Sequence, residues 1–459
     1  MSSKTNSDFP MGKGMNMDSQ RDADSGSPPA ARRAVLLQGP VGPFFSRLQN
    51  TLDRAGWATI RVLFNLGDRY FHQADKSIAF RETMDRWPDW FADFIKTYKP
   101  DVIFLFGDQR EIHRHAIVEA QRVGVKVLCF EEGYLRPDYV TMELGGNNAC
   151  SSLRFIDLSG PPPVSPAPLK MPGNAFSQMA LNAAFYFTIM RLGTLRYPHY
   201  RHHRRRGTVR ESLMWVRNAA LKWKNFKRNL RSIHKVIDVL DQKYFLVALQ
   251  VHDDLQLIRH GAGWTQERLI SSAIASFSRS AHPDHHLVFK GHPMDRGHSS
   301  TRQMTQQFAK IFNVASRVHY VDDGSLGLLS RHSRGMVTIN STSAIVAFGH
   351  RKPVFACGDN FYEQMTVNGS NHDEEALAHF WRLTPQVDKT RWEAFRAQIV
   401  ATSQINGSFY LDSEIDATCR RVIERVEGLL TRTPRAGGVL LRFESPKSDA
   451  VEAPRPDDV

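Results

Sequence analysis

The sequence predicts an α/β protein of two consecutive Rossmann-like halves facing a central cleft, with a C-terminal helix and disordered termini. Short apolar strands alternate with stretches of helical period, first over residues 34–130 and again over 244–356. A chain of 459 residues is long enough for two or three domains, each with its own core. Polar clusters fall at the carboxyl ends of the strands, where open α/β sheets bind ligands.

Taken in order, Ala34–Gln38 is a strand that runs into Gly39-Pro-Val-Gly-Pro43. Phe44–Ala55 is an amphipathic helix stopped by Gly56, and Thr59–Phe64 is the next strand. Asp101–Phe106 is a strand turned by Gly107-Asp108, and Arg110–Val123 is a helix closed by Gly124. Val125–Phe130 is a strand that empties into Glu131-Glu132-Gly133, and Pro161–Pro172 is a connector. The second run has strands at Tyr244–Leu249, His286–Lys290, Gly335–Ile339 and Pro353–Ala356, with helices around 265–280, 342–349 and 413–430. This divides the chain into a disordered tail (1–32), a Rossmann-like domain (33–175), a helical basic segment (176–240), a second Rossmann-like domain (241–410), a terminal helix (411–432) and a second disordered tail (433–459).

The net charge of +13 is local. Arg191–Lys235 holds fourteen Lys or Arg against one acid, Glu211, so this segment carries all of it. Charge so confined points to one anionic surface. The segment follows a short apolar stretch, Met179–Met190, too short to span a bilayer. Phe176, Phe185, Tyr186 and Phe187 are placed to enter a membrane interface, with Arg201, Arg204, Arg205 and Arg206 facing lipid phosphates. Trp215, Trp223 and Phe226 among the cations would also suit single-stranded nucleic acid, but no RNA or DNA module is visible, so no nucleic-acid partner is expected. Four cysteines, Cys129, Cys150, Cys357 and Cys419, lie far apart, which fits a reducing compartment better than a zinc site or disulfide framework. No HExxH, Walker A or GxGxxG motif occurs.

Five clusters are suited to chemistry. Glu131 and Glu132 pair two carboxylates, and a neighbouring like charge raises one pKa toward a useful value; a solvated turn is the plain alternative. In Leu249-Gln250-Val251-His252-Asp253-Asp254, Asp254 suits a nucleophile toward a sugar carbon or a helix N-cap. Lys290 and His292, before Pro293, suit a phosphate or carboxylate, or a polar turn. Asn340, Ser341, Thr342 and Ser343 open a helix, which makes either an anion site or a simple cap. Asp108, Arg110 and His113 follow the third strand, where Asp108 also suits a cap.

Together these motifs resemble the capsule polysaccharide biosynthesis/export family, in its single-module KpsS/LipB-type members. The resemblance rests on LLQGPVGPFF (36–45), FGDQREIHRHA (106–116), FEEGYLRPDY (130–139), LQVHDDLQL (249–257), FKGHP (289–293) and VTINSTSA (337–344), and covers roughly residues 33–370. It implies a GT-B-like glycosyltransferase: a retaining β-Kdo transferase that uses CMP-Kdo as donor substrate, with no cofactor and no metal. The acceptor would be a lysophosphatidylglycerol-type lipid at the inner leaflet, so that the enzyme starts the poly-Kdo linker of a capsule in a Gram-negative bacterium.

On that resemblance the first half takes the acceptor and the second the CMP-sugar. Asp254 is the nucleophile and Glu132, with Glu131 beside it, the acid/base. His292, Lys290, Pro293, Asn340, Ser341, Thr342 and Ser343 hold the donor, while Gln250, Arg136, Asp108, Arg110 and His113 complete the substrate site. The enzyme would be cytoplasmic and peripheral on the inner membrane, alongside other capsule assembly and export proteins. A transferase of another CMP-nonulosonate, such as sialic acid, and a non-catalytic scaffold of the export machinery are the alternatives.

Overall fold

The computed structural model describes residues 31–74, 76–173, 175–202, 208–293, 295, 300–382 and 386–431, without the side chains of 208–216 and 219. The first half comprises β1 (Arg33–Leu36), α1 (Phe44–Arg54), β2 (Ala58–Leu63), α2 (Leu66–Tyr70), β3 (Ser77–Ala79), α3 (Trp87–Tyr98), β4 (Val102–Phe106), α4 (Glu111–Arg122), β5 (Lys126–Glu132) and β6 (Tyr139–Leu144). Helices α5 (Ala175–Leu192) and α6 (Thr208–His234) lead to the second half. That half begins with β7 (Tyr244–Ala248), α7 (Leu255–His260), α8 (Gln266–Ser280), β8 (His286–Lys290), α9 (Thr301–Ile311), β9 (Val318–Val321), α10 (Leu326–His332) and β10 (Gly335–Thr338). It ends with α11 (Ala344–Gly349), β11 (Val354–Ala356), α12 (Glu374–Phe380), α13 (Lys389–Ser403), β12 (Gln404–Asn406) and α14 (Asp412–Thr431).

The first sheet has the order β12-β6-β5-β4-β1-β2-β3, with β5 to β3 mutually parallel. The second, β11-β10-β7-β8-β9, is parallel throughout. Val35, Ile103, Phe104, Leu246, Val247 and Val288 are fully buried, because helices cover both faces of a parallel sheet. This is the predicted pair of Rossmann-like halves. The winding of each sheet reverses once, between β1 and β4 in the first and between β7 and β10 in the second. Such switch points open a crevice at the strands' carboxyl ends.

The strands predicted from sequence hold to within a residue or two. Three pairings between elements were not legible. Strand β6 returns antiparallel to β5 across a turn at Gly133, where a Cβ would run into the carbonyl of Tyr139. Strand β12, expected within the second half, pairs antiparallel with β6 in the first sheet. Helix α14 follows it and packs on α1: Ile415, Cys419, Val422 and Val426, spaced at helical period, meet Phe44, Phe45, Leu48 and Leu52 in one core. The chain thus crosses back, and its last helix completes the first half.

Helix α11 begins at Ala344 rather than 342 and has only six residues. The Ser341 hydroxyl takes the Ser343 N–H (3.2 Å), a local bond that competes with helix formation. Tyr186, predicted to enter a membrane interface, is 6% exposed. Its hydroxyl donates to Asp68 (2.8 Å) and accepts from Asn65 (2.8 Å), which fastens α5 to the first half; an aromatic carrying a hydroxyl finds a better site on these partners than in hydrocarbon. Among the described residues no helix is long and apolar enough to cross a membrane. The tails predicted at 1–32 and 433–459 lie outside the described residues, save Ala31 and Arg32, as do Arg204, Arg205 and Arg206.

Candidate functional site

At the switch point of the first sheet the end of β1 supplies Gln38, and the end of β4 supplies Gly107, Asp108 and Arg110. Gly107 turns the chain at φ +75°, a conformation that suits glycine. His113 Nδ1 lies 2.7 Å from the Gly107 carbonyl and fixes that turn. Burial, aided by the Arg110 charge, lowers the His113 pKa to about 3, so the ring is neutral and Nδ1 carries the donated proton. His113 thereby shapes the loop from behind.

Asp108 is fully buried, and burial pushes its pKa up to about 6. One oxygen accepts the Asn147 N–H (2.9 Å); the other accepts Gln256 Nε2 (3.1 Å), on α7 of the second half. The carboxyl ends of the two sheets therefore meet at Asp108. Arg110 donates to Gln38 Oε1 (2.9 Å), and Gln38 Nε2 in turn donates toward Tyr186 (3.0 Å), Tyr200 (3.0 Å) and Asp68 (3.3 Å). This buried network was missed in the sequence. Its one local sign was Asn65-Leu-Gly-Asp68 after a strand, where Asn65 caps α2 by accepting the Asp68 N–H (2.9 Å).

Glu131 and Glu132 end β5 and, as strand neighbours, point to opposite faces. Glu131 lies on the side of Asp108 and Arg136. Desolvation first, then the backbone of Glu132 opposing and the charges of Glu132 and Asp108 adding to it, leave its pKa at about 7. Glu132 accepts the Tyr410 hydroxyl (2.6 Å), a partner brought by the returning chain. The two carboxylates thus do not share one side, and burial outweighs the like-charge effect expected from sequence. Arg136 Nε donates to the Gly133 carbonyl (3.0 Å) and steadies the turn.

In the second half, Gln250 after β7 and Asn340 after β10 close the switch point through two bonds, Gln250 Nε2 to Asn340 Oδ1 (2.9 Å) and Asn340 N to Gln250 Oε1 (3.1 Å). Asn340 Nδ2 also donates to the carbonyls of Gln256 (2.9 Å) and His260 (3.1 Å). Both side chains hold the β7–α7 loop in place. Asp254 caps α7, accepting the Gln256 N–H (2.9 Å), so the capping role foreseen for it is present. Because Gln256 reaches Asp108, Asp254 stands beside the junction of the halves.

His252 Nδ1 meets Asp295 at 2.6 Å, which ties the loop after β7 to the loop after β8 that carries Lys290, His292 and Pro293. Asp295 was not singled out in the sequence. Lys290 is buried, with Nζ 3.4 Å from the Gly291 carbonyl; His292 is partly exposed and Pro293 exposed. Across β7, Ser341, Thr342 and Ser343 are partly exposed. Tyr362 holds this loop by donating to the Ser341 carbonyl (2.7 Å), and the buried Ser343 hydroxyl has no hydrogen-bond partner among the described residues. The N–H groups of Ser343, Ala344, Ile345 and Val346 bond within this turn, so its side-chain hydroxyls are what it offers an anion.

The block Cys357-Gly-Asp-Asn-Phe-Tyr362 joins the halves. Asp359 and Glu363 take Arg154 (3.5 and 2.6 Å), and Phe361 stacks on Tyr134 with ring centroids 4.1 Å apart. Arg201 is exposed at the edge of the described part of the basic tract.

Residues 101–410 match the family model described as capsule polysaccharide biosynthesis protein. The chain is 34% identical over 384 residues to the capsule polysaccharide export protein KpsS of Escherichia coli, covering 83% of this chain and 97% of that protein. It is 31% identical over 393 residues to the capsule polysaccharide modification protein LipB of Neisseria meningitidis serogroup B, covering 83% and 92%. Thermosulfurimonas dismutans KpsC, a beta Kdo 2,7 transferase, aligns over 80% of this chain and 99% of its own at 14% identity and a TM-score of 0.38. With a family model spanning more than half of the chain and relatives matched over nearly their full length, this protein belongs to the capsule polysaccharide biosynthesis family.

Proposed function

We propose that the protein is a glycosyltransferase that adds the first β-linked Kdo from CMP-Kdo to a lysophosphatidylglycerol-type lipid, starting the poly-Kdo linker of a capsule. The observation that carries the reading is the meeting of two polar strand-end clusters at one junction, bridged by the Asp108–Gln256 bond. Family membership supplies the capsule context.

In this reading the CMP phosphate lies along Ser341–Ser343 and His292, with the Ser343 hydroxyl among its donors, and Lys290 or Arg136 holds the Kdo carboxylate. Asp254 attacks the anomeric carbon as CMP leaves with its bonding electrons, forming a glycosyl-enzyme ester. The acceptor hydroxyl then attacks that carbon, gives up its proton and releases Asp254; two inversions retain the anomeric configuration. Glu131, with a pKa of about 7, is matched to taking that proton near neutral pH, whereas Glu132 is engaged by Tyr410. The geometry thus favours Glu131 over Glu132 for the acid/base role. No metal is required, and the cation-rich segment around Arg201–Arg206 holds the enzyme on the cytoplasmic face of the inner membrane, where the lipid acceptor lies.

The test is incubation with CMP-Kdo and a fluorescent lysophosphatidylglycerol, with CMP-sialic acid in a parallel arm and EDTA in a third, read by mass spectrometry. A single Kdo added, with or without EDTA, is the expected product. Transfer from CMP-sialic acid alone, or no transfer from either donor, overturns the assignment.

A further inference from the structure

Helix α6 is fastened to the second half along one side. Asn218 and Asn229, both buried, donate to the carbonyls of Pro293 (3.0 Å) and Asp323 (2.9 Å), and Asn229 Oδ1 accepts the Asp322 N–H (2.8 Å). Lys222 and Arg228 reach Asp323 (3.9 Å) and Asp322 (3.5 Å). Beside this attached side stands an apolar ridge: Trp223 is 87% exposed, Phe226 59% and Leu230 44%. Their spacing of three and then four residues confines them to a sector of about 60° at ~100° per residue. Going on round the helix, away from the protein, come the exposed Lys227, Arg231 and Lys224.

Three large apolar side chains in one exposed row are not scattered surface residues. From Arg217 to Lys235 the chain has seven Lys or Arg and no acid, so the covering surface must be anionic as well as apolar. An apolar ridge flanked by cations is the pattern of a helix lying in a headgroup layer. We propose that α6 docks through Trp223, Phe226 and Leu230 into an anionic bilayer, with Lys224, Lys227 and Arg231 on the lipid phosphates. Because Asn218 holds the Pro293 carbonyl, the docked helix also sets the stance of the Lys290–His292 loop toward the bilayer. The docking deepens the membrane reading above, but it does not depend on transfer activity.

The experiment uses the full chain with phosphatidylglycerol-rich vesicles, some containing acyl-chain-brominated lipid. Brominated vesicles should quench the tryptophan fluorescence of the wild type, and Trp223→Phe should remove most of that quenching. The Trp223→Ala/Phe226→Ala/Leu230→Ala variant should lose about tenfold or more in vesicle partition while its thermal melt is unchanged, since these side chains are exposed. Wild-type partition by that variant, quenching that survives Trp223→Phe, or a fluorescence response to single-stranded oligonucleotide with none to vesicles overturns the proposal. Loss of binding on changing Arg204, Arg205 and Arg206 to Glu, with none on changing α6, would keep the membrane reading and sink this helix's part in it.

Discussion

Glu131→Gln tests the electrostatics of the site directly. Burial, with smaller repulsion from Glu132 and Asp108, raises the Glu131 pKa from 4.5 to about 7. Between those values the folded state holds a proton that the unfolded chain has released. The unfolded state therefore binds fewer protons there, and raising the pH through the window lowers stability. The favourable neutral form is fully present below about pH 4.5 and is lost as pH passes 7. The full rise corresponds to roughly 3 kcal/mol; Glu131 is partly exposed, and screening reduces this to about 2 kcal/mol. Glutamine keeps an acceptor for the Glu132 N–H (3.0 Å) and cannot ionise. Relative to the wild type, the variant should gain about 2 kcal/mol between pH 5 and pH 8.5. Asp108 and Glu143, raised by burial to about 6 and 7, titrate in both proteins and largely cancel in the comparison. Urea unfolding followed by circular dichroism at the two pH values measures the gap. A gap that does not change with pH refutes the reasoning. In the transfer assay the same variant should lose the ionisation near neutral pH from its rate profile.

Asp254→Asn should abolish transfer while keeping the fold and CMP binding, because asparagine caps α7 as well as aspartate does; near-normal turnover removes Asp254 from the mechanism. His292→Ala, or Ser341→Ala with Ser343→Ala, should weaken CMP binding by about tenfold, as expected for one or two lost hydrogen bonds to a charged group, and unchanged calorimetric affinity in all of them moves the donor out of the second half. Changing Arg204, Arg205 and Arg206 together to Glu should lower vesicle binding and transfer to lipid acceptors and spare a short-chain soluble acceptor, since each cation near an anionic surface contributes about 1 kcal/mol. Full sedimentation of that variant with anionic vesicles shows that the tract is not the main contact.

The sequence marks out the two α/β halves, because buried parallel strands read as apolar runs and their ends as polar ones. It also singled out most of the side chains that meet at the junction: Asp108, Glu131, Gln250, Asp254 and Asn340. It could not say which of them face substrate. Gln250 and Asn340 bond each other, His113 supports a turn, and Glu131 and Glu132 part to opposite sides of a strand. Those roles depend on partners tens to hundreds of residues away: Tyr410 for Glu132, Gln256 for Asp108, Asp295 for His252. The return of β12 and α14 to the first half left no local sign either, since a three-residue strand has too short a pattern to read. Local periodicity records which face of an element is buried, and only the packed chain decides what lies against it. Tyr186 shows the difference: its place in an apolar stretch suggested a bilayer, and the folded chain gave it Asp68 instead.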